Sequence, residues 1–328
     1  MSMILKEKII SLAAWTGNDF KHDQSWLYHF SPENIDDIDT ALASLKGRNI
    51  NFPRFSKSDF RIGELEDKLK LSADELENGR GFFVLRGLPI EKYNDDEINI
   101  IYYGIGLHLG TPVGQNPQGD LLGSVMNVGD VNDKNTRVYE TNLHLPYHTD
   151  PSDVVGLLCV RMAKRGGLSS LVSVAAVYNE ILEKHTEFLG LYYRRYYYAH
   201  LCENQPSLSP LFSFYHGKLS CRYLRQYIEL GHEIEQQPLS QIEIEALDLF
   251  DSIMHRKDLR LDMMLEPGDL QFANNYAVLH SRTSFEDFAA SNKRRKLLRL
   301  WLKMPNVRTL GPEFPGRNGF PVPDSVWA

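Results

Sequence analysis

Pro146-Tyr147-His148-Thr149-Asp150 is the stretch on which the fold and the chemistry of this chain turn. On an extended strand, residues two apart point to the same face, so the His148 imidazole and the Asp150 carboxylate can address one point. Those two groups make half of a metal site. A second histidine from a distant strand completes the two-His-one-carboxylate arrangement that leaves coordination positions open on non-haem Fe(II). Tyr276-Ala-Val-Leu-His280 supplies the candidate. Two neutral imidazoles and one carboxylate suit iron(II) better than the sulfur-rich, four-ligand sites of structural zinc. A bare His-x-Asp is also a common surface or core pair, so the rest of the chain has to supply the context.

Downstream of Asp150 the sequence reads as a succession of short strands. Residues 153–162 are a nearly continuous apolar run, the pattern of a strand buried on both faces. Gly166-Gly-Leu-Ser169-Ser170 follows as a turn, and Ser173 can cap a helix whose apolar face is Val174, Val177, Tyr178, Ile181 and Leu182. Residues 192–200, with five tyrosines, and 217–227 read as further strands. Ser240 and Glu243 form a capping box that opens a helix running to about Met254. Residues 260–265, 267–272, 276–280 and 297–302 are four more strand candidates separated by turns.

Upstream the signals are mixed. Residues 1 to about 60 combine aromatics with polar residues and lack a sustained period, which predicts a partly ordered lead-in. Ser72 and Glu75 fit a capping box before a short helix, and 79–87 reads as a glycine-bounded strand. Asn94 and Glu97 cap a helix that Gly110-Thr-Pro112 stops. Turn-rich loops follow at 114–120 and 127–135, and loops between strands are where substrate contacts concentrate. Short strands at regular spacing predict a mainly β sandwich or jelly roll with helices packed outside.

The 328 residues carry 36 basic and 43 acidic side chains, a net charge of -7. That balance gives no general attraction to nucleic acid or to an anionic membrane surface. Cys159, Cys202 and Cys221 lack the paired spacing of a zinc site or a disulfide framework, which predicts a reducing compartment. No uninterrupted apolar stretch is long enough to span a bilayer, and charges break the only apolar run near the start. The expectation is a soluble, cytoplasmic, single domain over 1–328, whose partner is a small-molecule substrate, with the oligomeric state left open. Within it, 1–80 is a lead-in and a possible lid, 80–305 the core with helical insertions, and 306–328 a tail.

The ordered parts now add up. His148-Thr-Asp150, Gly166-Gly-x-Ser169, Pro267-Gly-Asp269, Asn274-Asn275-x4-His280-x-Arg282 and Arg294-Arg-x-Leu-Leu-Arg-Leu-Trp-Leu302 together resemble the taurine dioxygenase and clavaminate synthase-like family of Fe(II)/2-oxoglutarate-dependent oxygenases. The resemblance runs from about residue 80 to 305 and implies a double-stranded β-helix, or jelly-roll, core. It implies that His148, Asp150 and His280 are the iron ligands, that 2-oxoglutarate chelates two further positions and that O2 takes the last. Asp150 stands where the family's halogenases have a small residue, which implies a hydroxylase-type site.

The same resemblance places Arg295, fifteen residues after His280, at the anchor of the 2-oxoglutarate distal carboxylate, and Ser169 at the hydroxyl that hydrogen-bonds the cosubstrate. A planar guanidinium suits that role because it binds a carboxylate bidentately and keeps its charge. On a strand, Arg295, Leu297, Arg299 and Trp301 share a face, so Arg299 can also reach the site, where some relatives bind substrate anions. Arg282, on the His280 face, is the rival anchor. Gln115 and Asn116 lie in a loop that lines the substrate pocket of relatives, and Asn275 could hold a ligand or the substrate. The bland readings are a solvated basic turn for 293–296, ordinary turn chemistry for Asn274-Asn275 and a self-bonded turn residue for Ser169. His144 reads as a rim or packing residue, since Pro146 argues against a helix that would align it with His148.

The expected activity is oxidation, by default hydroxylation, of an unactivated C–H bond of a small molecule, such as an amino acid or natural-product intermediate, with release of succinate and CO2. Desaturation, epoxidation and ring closure would use the same residues. A divalent-metal hydrolase would need metal-bound water and a base but no keto-acid anchor, and a non-catalytic jelly-roll binding protein would not need an intact triad.

Overall fold

In a computed structural model of the chain, the residues described are 3–129, 138–199, 205–316 and 319–320. Cys202, part of the 127–135 loop, the end of the 192–200 segment and most of the tail beyond 316 lie outside them.

Two sheets face each other and form the jelly roll. In the larger, Leu27–His29, Phe82–Arg86, Leu270–Asn274, Val154–Arg161, Lys296–Lys303 and Thr111–Pro112 lie side by side, and Leu122–Val125 also pairs with Lys296–Lys303. The smaller runs Arg260–Met263, Ser169–Ser173, Val278–Arg282, Leu145–His148, all antiparallel. Its register sets His280 directly opposite His148.

Strand alternation decides what enters the space between the sheets. Along Lys296–Lys303, Leu298, Leu300 and Leu302 join the outer core, whereas Leu297 and Trp301 join the inner one, so Arg299 faces inward. The outer face of the larger sheet is covered by Pro32–Gly47, Leu65–Asn78 and Asp95–Leu109, whose Leu45, Leu69, Leu76 and Ile101 share a core with Leu158, Leu270 and Phe272. Val174–Lys184, Thr186–Tyr192 and Gln241–Met254 cover the smaller sheet, packing Val177, Ile181, Tyr192 and Phe250 with Val172 and Leu279. Val154–Arg161 is thus covered on both faces, which is why 153–162 reads as a nearly continuous apolar run.

Three local expectations change. Ser72 lies inside Leu65–Asn78, its hydroxyl donating to the Lys68 carbonyl at 2.9 Å, because Leu65 and Leu69 find apolar partners one turn earlier. Tyr192 and residues 225–227 are helical, in Thr186–Tyr192 and Arg225–Ile234; packing in the helical layer overrides the β-propensity of their aromatics. The first 80 residues hold two long helices and place Trp15 and Phe20 against Phe82, at ring-centroid distances of 5.1 and 5.7 Å. No described helix is long and apolar enough to cross a membrane.

Candidate active site

His148, Asp150 and His280 converge at one end of the inter-sheet space, each offering a ligand atom within 4.8 Å of the others. His148 is the last residue of its strand, and Asp150 sits in the turn beyond it. That turn brings the carboxylate back, with His148 Nε2 4.0 Å from Asp150 Oδ1 and His280 Nε2 3.5 Å from Oδ2. The His148 Nδ1–H donates to the Pro146 carbonyl at 2.8 Å, which fixes the tautomer and leaves the Nε2 lone pair facing inward. Burial, with the neighbouring His280, pushes the His148 imidazole down to about 4, so it is neutral at ordinary pH. Burial works against the Asp150 charge, but His280 and the Arg299 guanidinium hold its carboxyl below the usual carboxylate range. The result is two imidazole nitrogens and one ionised carboxylate around one point, a donor set that fits a divalent iron.

Asn275 holds the turn in place. Its Oδ1 accepts from the Asp150 N–H at 2.9 Å, and its Nδ2 donates to the carbonyl and hydroxyl of Ser152 at 3.0 and 3.1 Å. The Asn275 backbone N–H adds a bond to the Asp153 carbonyl. The link ties the carboxylate turn to the segment that leads into the His280 strand.

Beside the three groups lies a cavity, about 530 Å3 with the space open to solvent included, lined by Val125, Val155, Leu157, Leu265 and Leu297 and entered by Arg282, Arg295, Arg299 and Ser169. The three arginines are 5%, 5% and 7% exposed, an unusual load of buried positive charge. Arg299 is held from three sides: its Nε donates to Gln115 Oε1 at 2.7 Å, and the rings of Tyr139 and Trp301 lie 4.5 and 4.7 Å from its guanidinium carbon. Arg295 Nη1 and Arg282 Nε and Nη1 are buried with no hydrogen-bond partner among the described residues. Burial lowers both groups, Arg295 to about 10 and Arg282, which also faces the Arg295 charge, to about 9. Such orphaned donors fit a bound carboxylate, as a keto-acid cosubstrate would supply.

The structure gathers His148, Asp150, His280, Ser169, Arg282, Arg295 and Arg299 around this one cavity. Ser169 donates to Gln271 Oε1 at 3.1 Å. Gln115, Asn116 and Asn275 do not line it. Gln115 buttresses Arg299, donating from Nε2 to the Arg299 and Leu121 carbonyls, while Asn116 bonds Asp120 within its own turn. Two contributors escape sequence reasoning. Tyr139 follows a turn-rich loop that carries no motif. Gln271, buried between Leu270 and Phe272, had one available signal, a polar residue at an inward position of an apolar strand.

The sequence profile described as Taurine catabolism dioxygenase TauD, TfdA family matches residues 46–301. The chain is 31% identical to FR-33289 synthase of Streptomyces rubellomurinus over 318 residues, covering 94% of each protein. It is 26% identical to the taurine hydroxylase-like protein SAT17 of Stachybotrys chartarum, over 90% of this chain and 80% of that one. Among solved structures, the fold is similar to asparagine oxygenase in complex with Fe(II), 2S,3S-3-hydroxyasparagine and succinate, with TM-score 0.68 and 16% identity over 84% of this chain and 93% of that one. It is also similar to the non-haem iron oxygenase OrfP in complex with Fe and alpha-ketoglutaric acid, with TM-score 0.60 and 15% identity over 87% of this chain and 100% of that one. With more than three quarters of the sequence matched by the profile and the jelly roll in place around a His-Asp-His centre, the chain belongs to the taurine catabolism dioxygenase TauD, TfdA family and is an Fe(II)- and 2-oxoglutarate-dependent oxygenase.

Proposed function

We propose that this oxygenase hydroxylates a C–H bond of a small molecule bearing an anionic group, with His148, Asp150 and His280 holding the iron and Arg295 and Ser169 holding 2-oxoglutarate. The observation that carries the reading is the set of three buried arginines in a cavity whose lining includes one carboxylate, Asp150. One cationic end suits the keto acid. The other, Arg299, is pinned by Gln115, Tyr139 and Trp301 4.0 Å from Asp150, close enough to hold a substrate anion beside the metal position. The amino-acid ligands of the asparagine oxygenase and OrfP complexes carry an α-carboxylate, the kind of group Arg299 would take.

Iron(II) with 2-oxoglutarate and O2 supplies the oxidising chemistry, in which substrate C–H becomes C–OH while the keto acid leaves as succinate and CO2. The residues of this chain do the rest. His148 and His280 would hold the iron through ring nitrogens, Asp150 contributes charge, and the apolar wall of Val125, Val155, Leu157 and Leu297 keeps water from the reacting carbon. Arg299 fixes the substrate's orientation, and orientation selects which C–H bond is presented.

The test is succinate release measured across amino acids and small acids, each with a neutral analogue. An anionic substrate should stimulate release well above the basal rate, and Arg299→Leu should abolish that stimulation while retaining iron and keto-acid binding. Stimulation by neutral analogues equal to that by the acids would contradict the assignment of Arg299.

A further inference from the structure

The two cationic ends of the cavity are built differently. Arg299 already has Gln115 on its Nε. At the other end, the guanidinium carbons of Arg282 and Arg295 both lie over the ring of Phe285, 4.8 and 5.1 Å from its centroid. Arg282 stands opposite Ser169 in the sheet register. Arg295 passes over Gly167, where an added Cβ would lie 3.2 Å from its Nε. Arg282, Arg295 and Ser169 therefore share one end, and three N–H-bearing atoms of the two guanidinium groups are buried there without partners. Two like charges buried side by side repel, and a carboxylate placed between them relieves both the repulsion and the unmet donors.

We propose that Arg282 is a second anchor for the distal carboxylate of 2-oxoglutarate, paired with Arg295, and that it couples that carboxylate to the backbone of residues 141–143. The inference rests on the reading that the keto acid occupies this end of the cavity. Arg282 Nη2 donates to the carbonyls of Thr141, at 3.1 Å, and Leu143. Two residues before Thr141 is Tyr139, whose ring covers Arg299. One guanidinium thus has one nitrogen on the backbone that positions Tyr139 and two nitrogens left for the cosubstrate. Filling the keto-acid end fixes the wall of the substrate end, which makes Arg282 a positioning residue as well as an anchor.

Anaerobic titration of the Fe(II)-loaded protein, read by the visible charge-transfer band of an iron-chelated keto acid, separates the possibilities. The comparison is 2-oxoglutarate against 2-oxobutanoate, which lacks the distal carboxylate. Arg282→Gln keeps an amide that can donate to the two carbonyls but removes the charge. It should raise the half-saturating concentration of 2-oxoglutarate roughly ten- to hundredfold and leave that of 2-oxobutanoate nearly unchanged. Arg282→Lys keeps the charge but cannot span both partners. In the unsubstituted protein 2-oxoglutarate should slow hydrogen exchange in residues 138–147; Arg282→Lys should recover much of the 2-oxoglutarate affinity yet lose that slowing, and no slowing in the unsubstituted protein would overturn the coupling. A general disturbance of the fold would weaken both keto acids together.

Discrimination between the two acids that survives Arg282→Gln and is lost only in Arg295→Gln overturns the proposal and leaves the oxygenase assignment standing. Exchange protection that survives Arg282→Lys overturns the coupling. Absence of the band in the unsubstituted protein overturns the keto-acid reading itself, and this inference with it.

Discussion

Asn275 commits both ends of its amide to the turn that carries Asp150, accepting from the Asp150 N–H and donating to Ser152. Asn275→Ala leaves a buried N–H and a buried carbonyl short of partners, each costing about 1–3 kcal/mol. The Asp150 carboxylate then loses its fixed position. Iron affinity should fall roughly ten- to hundredfold, in line with other groups that orient metal ligands. Competition titration with a chromophoric chelator measures it, and unchanged affinity would remove Asn275 from the account. The contrast with the ligands is instructive. The convergence of His148, Asp150 and His280 was legible because the metal-binding role proposed for them demands particular donor atoms at particular spacing. Gln115 and Asn275 pointed to the site region, but their actual work depends on partners 184 and 125 residues away, Arg299 and Asp150, and nothing local encodes that.

At the scale of elements, the capped helices and bounded strands could be read directly because their signals are local. Asn94 with Glu97 and Ser240 with Glu243 form capping boxes, and Ser173 accepts from the Ala176 N–H. Ser72 misled because a serine inside a helix carries the same letters as one at its start, and only the packing of Leu65 and Leu69 distinguishes them. The Gly166-Gly167 turn matters for a second reason. Both residues have φ of +75°, a region that side chains other than glycine rarely enter, and Gly167 lies against Arg295. Gly167→Ala should strain the turn by about 1 kcal/mol or more and displace the guanidinium. The expected result is weaker 2-oxoglutarate binding with iron affinity retained, read by the same pair of titrations. A loss of iron affinity without loss of keto-acid affinity would contradict it.

For the whole molecule, the two facing sheets explain why groups from residues 148, 169, 280, 282, 295 and 299 meet in one cavity. Helical layers bury the outer faces of both sheets, so the site is enclosed by the sheets' inner faces together with the segment that carries Tyr139. The jelly roll was legible from the strand spacing and from the resemblance. Which sheet each strand joins was not, because sheet membership follows from pairings between segments far apart, such as Leu270–Asn274 lying between Phe82–Arg86 and Val154–Arg161. The central claim is that this architecture assembles one iron and keto-acid site from the two sheets. Its most direct measurement is the anaerobic absorption spectrum of the protein with Fe(II) and 2-oxoglutarate. A visible charge-transfer band is predicted that vanishes in His280→Ala and needs a higher 2-oxoglutarate concentration in Arg295→Ala; no band in the unsubstituted protein, or an undiminished band in His280→Ala, would contradict the account.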